Sequence, residues 1–217
     1  MEFECPCCSF VGEFNPYGAI QRQNARCPKC GSLERHRLLY LFLKQYIPNG
    51  SIRVLHFSPE WMISDLFKRN DIEYIDADFS GRWADRRIDM TDMKFPNDYF
   101  DIVLSSDVLE HIPNDIKAMS ETYRVLKHDG FAVHLVPIKD VDKTYEDWNI
   151  TSPEGRRLAF GQFDHVRIYG FDYGDRLRSV GFDVKRIDLP ELAERYSLVP
   201  EDKSGVFHKW IYLARKL

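Results

Sequence analysis

The chain has 217 residues and a net charge of −4, enough length for one sizeable core and no global attraction to nucleic-acid phosphate. No apolar run approaches a membrane span, and Met1-Glu2-Phe3-Glu4 lacks the basic start and apolar segment of a secretory signal. The expected setting is the cytoplasm, where cysteines bind metal more often than they form disulfides.

All five cysteines fall within the first thirty residues, in Cys5-Pro6-Cys7-Cys8 and Cys27-Pro28-Lys29-Cys30-Gly31. The pairs Cys5/Cys8 and Cys27/Cys30, with eighteen residues between them, have the spacing of a zinc ribbon. Four thiolates around Zn2+ make a closed, structural site, so no catalysis is assigned to it. Cys7 is the spare, and its replacing Cys5 or Cys8 is the alternative. Metal binding of order 10 kcal/mol would be folding energy for so short a segment. Residues 1–32 are therefore expected to form a metal-binding unit, and residues 33–217 a larger α/β domain.

A helix is expected over 32–47, capped by Ser32 and stopped by Pro48-Asn49-Gly50. Arg35, His36 and Arg37, with Arg22, Arg26 and Lys29 nearby, form a basic cluster. It suits either RNA or phosphate contact or, the favoured reading, a solvated or interdomain face. Only Phe14 and Tyr17 are at hand for base stacking.

The next segments alternate strand and helix. Residues 52–57 read as a strand running into Ser58-Pro59-Glu60, followed by helical spacing over 61–69 with Pro59 in its first turn. A second strand, 73–78, ends on Asp78, about 20 residues after the first strand's tip, where a nucleotide-binding βαβ unit places its ribose-binding acid. The alternative is that Asp78 only starts a turn. Residues 81–87 lead to a short third strand ending at Asp89. Ile102-Val103-Leu104 is a doubly buried strand that stops abruptly at Ser105-Ser106-Asp107, with Glu110 and His111 close behind. An amphipathic helix over 114–127 and a fifth strand over 131–136 follow. Residues 139–170 are a long polar and aromatic segment with Tyr145, Trp148, Phe160, Phe163 and Tyr169. A last helix (171–180), a strand (182–187), a connection with a short helix (189–205) and a closing strand (207–214) complete the chain. The fold class expected is α/β, a Rossmann-like seven-stranded, mostly parallel sheet with helices on both faces, plus the small zinc ribbon.

Four stretches in register, Asp78-Phe79-Ser80, Asp89 to Phe95, Phe100 to His111 and Glu121 to Gly130, resemble the class I S-adenosylmethionine-dependent methyltransferases of the type 11 group. The resemblance implies S-adenosylmethionine as cofactor, held by His56, Phe57, Ser58 and Glu60 after the first strand, Asp78 and Phe79 after the second, and Asp89 with Met90 at the adenine. Ser105, Asp107 and Glu110 would lie beside the transferring methyl and shape the pocket, and Ser105, Asp107 and His111 would also contact the cofactor. Asp89 capping the Thr91 turn is the alternative role for that acid. The usual glycine-rich first loop of that family is here His56-Phe57-Ser58-Pro59-Glu60, with no glycine. Glu60 would pair with the cofactor's ammonium group or face the helix dipole.

Segment 139–170 lies where that family builds its acceptor site, so it is expected to face substrate. His165 is the first candidate general base, oriented by Asp164, with His134 and His111 behind it. The expected acceptor is a small or sugar-like molecule. The alternatives are RNA gripped through the ribbon and a silent binding module of the same fold. A nicotinamide dehydrogenase is disfavoured, because Gly-x-Gly-x-x-Gly is missing after the first strand.

Overall fold

Period-two alternation of apolar side chains sets the architecture. The computed structural model describes residues 2–18, 20–187, 195–198, 206–207 and 210–217. Strands β1 (Ile52–Phe57), β2 (Ile72–Asp78), β3 (Arg86–Arg87), β4 (Phe100–Ser106), β5 (Leu126–Leu135), β6 (Asp183–Ile187) and β7 (Ile211–Arg215) make one seven-stranded sheet in the order β6-β7-β5-β4-β1-β2-β3. β1 to β5 run parallel, and β7 is antiparallel to both of its neighbours.

Along these strands, Val54, Ile102, Leu104, Val133 and Leu213 face helices α1 (Glu34–Tyr46) and α2 (Trp61–Ser64), packing on Leu39, Phe42 and Ile63. The intervening Leu55, Phe57, Val103, Ala132 and Ala214 face α3 (Asp115–Val125) and α5 (Tyr173–Ser179), against Met119 and Leu177. Both faces are therefore covered, which is why the central strands read as continuous apolar runs. The strand order reverses between β1 and β4, so the cleft for a ligand lies beyond the carboxyl ends of those two strands. No helix among the described residues is long and apolar enough to cross a membrane.

Residues before α1 form two small antiparallel ribbons, Phe3–Glu4 with Val11–Gly12 and Asn15–Tyr17 with Arg22–Arg26. Phe3, Phe14, Cys5 and Cys27 close a separate minor core.

Several boundaries differ from the sequence reading. Ser32 does not cap α1; its hydroxyl lies 3.3 Å from Cys5 Sγ, so the cysteine cluster claims it and the helix starts at Glu34. Pro59 precedes α2, whose N-cap is Glu60, and the helix tightens after Ser64 into a 3-10 turn, Asp65–Phe67. β3 stops at Arg87, short of Asp89. β5 begins directly at the end of α3, and the kink is absorbed by Asp129 at φ 64°. Segment 139–170 is not one irregular loop. It contains the ribbon Tyr145–Glu146 with Arg167–Ile168, and α4 (Pro153–Phe160), started by Ser152 accepting from the Gly155 N–H and ended by Gly161 at φ 88°. The closing strand is Ile211–Arg215, and Val206–Phe207 instead pairs with Ile138–Lys139. The connection expected over 189–205 lies largely outside the described residues.

Candidate active site and cysteine cluster

At the β1 tip the glycine-free loop keeps the geometry that glycine usually supplies. Ser58 sits at φ 53°, and its N–H donates to the Ala77 carbonyl of β2 at 2.8 Å. The tip of β4 repeats the device, with Asp107 at φ 54° and its N–H on the Leu135 carbonyl at 3.0 Å. Left-handed backbone at non-glycine residues is uncommon and costs of order 1 kcal/mol or more, and here two such residues sit at adjacent strand tips. His56 is fully buried, with Nδ1 3.0 Å from the Tyr74 hydroxyl, and Phe57 belongs to the core.

Glu60 is the hub of this end. His56 Nε2 lies 3.3 Å from one of its oxygens and His36 Nε2 3.5 Å from the other. Burial pushes its carboxyl up. The hydrogen bond and charge of His56, with the charges of His36 and Arg35, outweigh that and hold it below the ordinary range. Arg35 meanwhile reaches Asp107 at 2.8 Å. The first turn of α1 thus covers the tips of β1 and β4 together. Arg37, fully buried, donates to the carbonyls of Ala25, Ser32, Tyr196 and Ser197. Arg22 pairs with Glu34. Arg22, Arg35 and Arg37 therefore form an internal joint, as the favoured interdomain reading expects, whereas Arg26 and Lys29 remain exposed.

At the β2 tip, Asp78 accepts from the Ser80 hydroxyl at 2.5 Å and the Arg82 N–H at 3.2 Å. Partial burial raises its pKa, but these donors prevail and keep it below the usual carboxylate value. Register pairs Asp78 with Arg87, two residues before Asp89, so the two acids occupy neighbouring tips. Asp89 Oδ1 accepts from the Thr91 N–H and hydroxyl, both at 2.8 Å, so the turn-capping role is realised there. Met90 is buried in the core, whereas Phe79 is exposed.

Beyond β4 and β5 lies a denser polar group. Ser105 Oγ and His134 Nδ1 are 2.8 Å apart, both buried, and burial alone drives the His134 pKa down to about 3. Ser106 Oγ, His134 Nε2 and both oxygens of Glu110 are buried without a hydrogen-bond partner among the described residues. The Phe160 carbonyl, 3.1 Å from His165 Nδ1, can only accept, so the ring donates there through Nδ1–H, and burial, followed by the charge of His111, lowers the His165 pKa. Asp164 does not orient His165 as expected. It lies 3.4 Å from His111 Nδ1 and bonds Gln162, because the chain turns at Asp164 toward the exposed side. Arg167, fully buried, donates to the carbonyls of Leu109, Ile112 and Pro113 and thereby fastens the 165–168 segment to the turn holding Glu110 and His111.

Cys5, Cys8, Cys27 and Cys30 bring their sulfurs within 4.8 Å of one another. Each Cys-x-x-Cys closes a turn, Ser9 N–H on Cys5 O and Gly31 N–H on Cys27 O, with Ser9 at φ 56° and Gly31 at φ 73°. Cys7 stays outside this group. Its hydrogen bond to Cys5, then burial, raises its pKa, and the Cys5 thiol is pulled down to about 4.

Sequence reasoning missed the cover formed by Arg35 and His36 and the anchoring by Arg167. Glu110 was visible beside His111, but only its complete burial marks it as exceptional.

The methyltransferase-domain family model matches residues 51–134. A comparison with curated protein sequences finds no match. Among solved structures, the cyclase SpnF superposes with a TM-score of 0.59 at 16% identity, over 83% of this chain and 80% of that one. YcgJ from Bacillus subtilis does so with 0.57 at 15%, over 84% and 99%. Phosphoethanolamine N-methyltransferase 2 of Haemonchus contortus, in complex with S-adenosyl-L-methionine, does so with 0.58 at 15%, over 82% and 52%. Residues 51–134 therefore match the methyltransferase-domain family model, within a chain that shares the fold of these solved structures and carries a four-cysteine cluster ahead of it.

Proposed function

We propose that the protein is an S-adenosylmethionine-dependent methyltransferase acting on a small-molecule or sugar-like acceptor, and that Cys5, Cys8, Cys27 and Cys30 hold a structural Zn2+. The observation that carries the first part is the convergence of Ser58, Asp78 and Asp107 on one end of the sheet beside polar atoms left unpaired at the tips of β4 and β5.

The donor set fits the cofactor. A carboxylate kept ionised, as Asp78 is, accepts hydrogen bonds from sugar hydroxyls. Asp89, with Oδ1 committed to Thr91, has its other oxygen for the exocyclic amine. When bound, S-adenosylmethionine supplies a sulfonium methyl for in-line transfer to a nucleophile. The chain's own work is to position the reactants and exclude water, and orientation alone is worth up to roughly 10 kcal/mol. Arg35 and His36 do this by closing α1 over the strand tips. If His165 Nδ1–H donates to Phe160 O, the lone pair is on Nε2, the atom that would take an acceptor's proton. His134, neutral far below physiological pH, serves as a fixed hydrogen-bonding group.

The four sulfurs fit Zn2+ as well. Tetrahedral ligation with Zn–S near 2.3 Å sets neighbouring sulfurs about 3.8 Å apart. Here Cys5 to Cys30 is 3.5 Å and Cys8 to Cys27 is 3.7 Å.

The second reading, a binding module without methyl transfer, is favoured by the glycine-free loop and by Glu60 being paired to two histidines and not open to a ligand ammonium. Supplying methyl-labelled cofactor with panels of sugars, small hydroxylated molecules and RNA separates the readings. Label on a small hydroxylated acceptor is expected. Label on RNA alone would replace the acceptor class, and bound cofactor with no transfer to any panel would favour the binding module.

A further inference from the structure

Glu110, His111 and His165 each bring one ligand-type atom within 4.8 Å of the other two. Glu110 is fully buried, and neither of its oxygens has a hydrogen-bond partner among the described residues. Leaving a buried carboxyl unpaired is costly, so a group outside the chain is needed there. A proton alone does not meet the need, because the resulting hydroxyl still finds no acceptor.

The two imidazoles point to a cation. His165 holds its Nδ1 at the Phe160 carbonyl, and His111 holds its Nδ1 3.4 Å from the Asp164 carboxylate. A ring fixed at one nitrogen by a carbonyl or carboxylate, with the other nitrogen available, is the arrangement found around metal-binding histidines. The three residues are also fixed in place relative to one another. The Val166 N–H donates to the Glu110 carbonyl at 2.9 Å, and Arg167 ties the adjoining turn through Leu109 and Pro113.

We propose that Glu110, His111 and His165 bind one divalent cation of the Mn2+ or Zn2+ type. Two imidazoles and a carboxylate suit such ions better than calcium, which prefers oxygen alone. Three protein ligands leave positions open, unlike the closed set of four cysteines. The consequence for chemistry rests on the methyltransferase reading: the acceptor is a hydroxyl, or a pair of adjacent hydroxyls, whose oxygen occupies an open position and is made more acidic there. In the transfer the hydroxyl proton passes to bulk water, the new C–O bond forms, and the sulfonium C–S bond breaks with its electron pair kept by sulfur. His165 is then a ligand and not the base.

The test uses the full chain with zinc in the four-cysteine site, treated with a weak chelator that leaves that zinc in place. Mn2+ is titrated and followed by electron paramagnetic resonance, with and without Glu110→Gln, His165→Ala and the half-buried His111→Ala. One Mn2+ per chain is expected, bound at least tenfold more weakly in each variant, with zinc content and circular dichroism unchanged. If Glu110→Gln does not fold, His111→Ala carries the comparison. No Mn2+ uptake, or uptake unaltered by the variants that fold, overturns the proposal. A calorimetric titration with S-adenosylmethionine on the same metal-free sample keeps the two readings apart. Cofactor binding without Mn2+ uptake removes only the cation site, whereas Mn2+ uptake without cofactor binding upholds the cation site and removes the methyltransferase reading.

Discussion

Glu60 shows how one side chain changes meaning between sequence and structure. As a letter it is an acid at a helix start, compatible with a dipole or a ligand. In the fold it receives His56 from its own strand and His36 from α1. Its folded pKa is held below the ordinary 4.5 because His56, His36 and Arg35 outweigh the cost of burial. A depressed carboxyl contributes stability that is present above its unfolded pKa and is lost as pH falls through the folded value. Glu60→Gln is therefore expected to flatten the fall in unfolding free energy from about pH 5 downward, measured by urea denaturation at stepped pH. An unchanged slope would remove Glu60 from the account of acid stability. Asp78 was legible at this scale because it ends a strand about 20 residues beyond the first tip. The burial of His56 and the pairing of Asp164 with His111 were not, since both depend on contacts between elements far apart in the chain.

Among elements, the central strands were the most legible and 139–170 the least. The apolar runs of β1 and β4 announce themselves by composition, whereas Tyr145–Glu146 and Arg167–Ile168 are two residues each and gain meaning only by pairing. What holds that segment is Arg167, charged and invisible to hydrophobic periodicity. It bonds Glu146 and three carbonyls of the 109–113 turn, beside Asp115 and Arg176. Arg167→Met is expected to destabilise the protein by about 3–5 kcal/mol, because the carbonyls of Leu109, Ile112 and Pro113 lose their donor. Urea midpoints read this directly, and a loss under about 1 kcal/mol would mean that the segment is held elsewhere.

At the scale of the molecule, the cysteine spacing and the seven-stranded, mostly parallel sheet both read correctly from sequence, but the way the N-terminal ribbons serve the cleft did not. Arg37 ties α1 to Ala25 and Ser32, and the same first turn of the helix places Arg35 and His36 over the strand tips. Stripping metal from the four cysteines with a strong chelator is therefore expected to unfold 2–32, lower the thermal midpoint and weaken cofactor binding, as followed by hydrogen exchange and calorimetry. Exchange rates in α1 that do not change would separate the ribbons from the site.

On the proposed function, S-adenosylmethionine sits at the tips of β1, β2 and β4. Isothermal titration of the zinc-loaded chain tests it most directly. One equivalent of S-adenosylmethionine should bind, and Asp78→Ala should weaken it by roughly 1.5–3 kcal/mol, the range for hydrogen bonds to a charged group. No heat of binding at millimolar cofactor, or an affinity indifferent to Asp78→Ala, would contradict it.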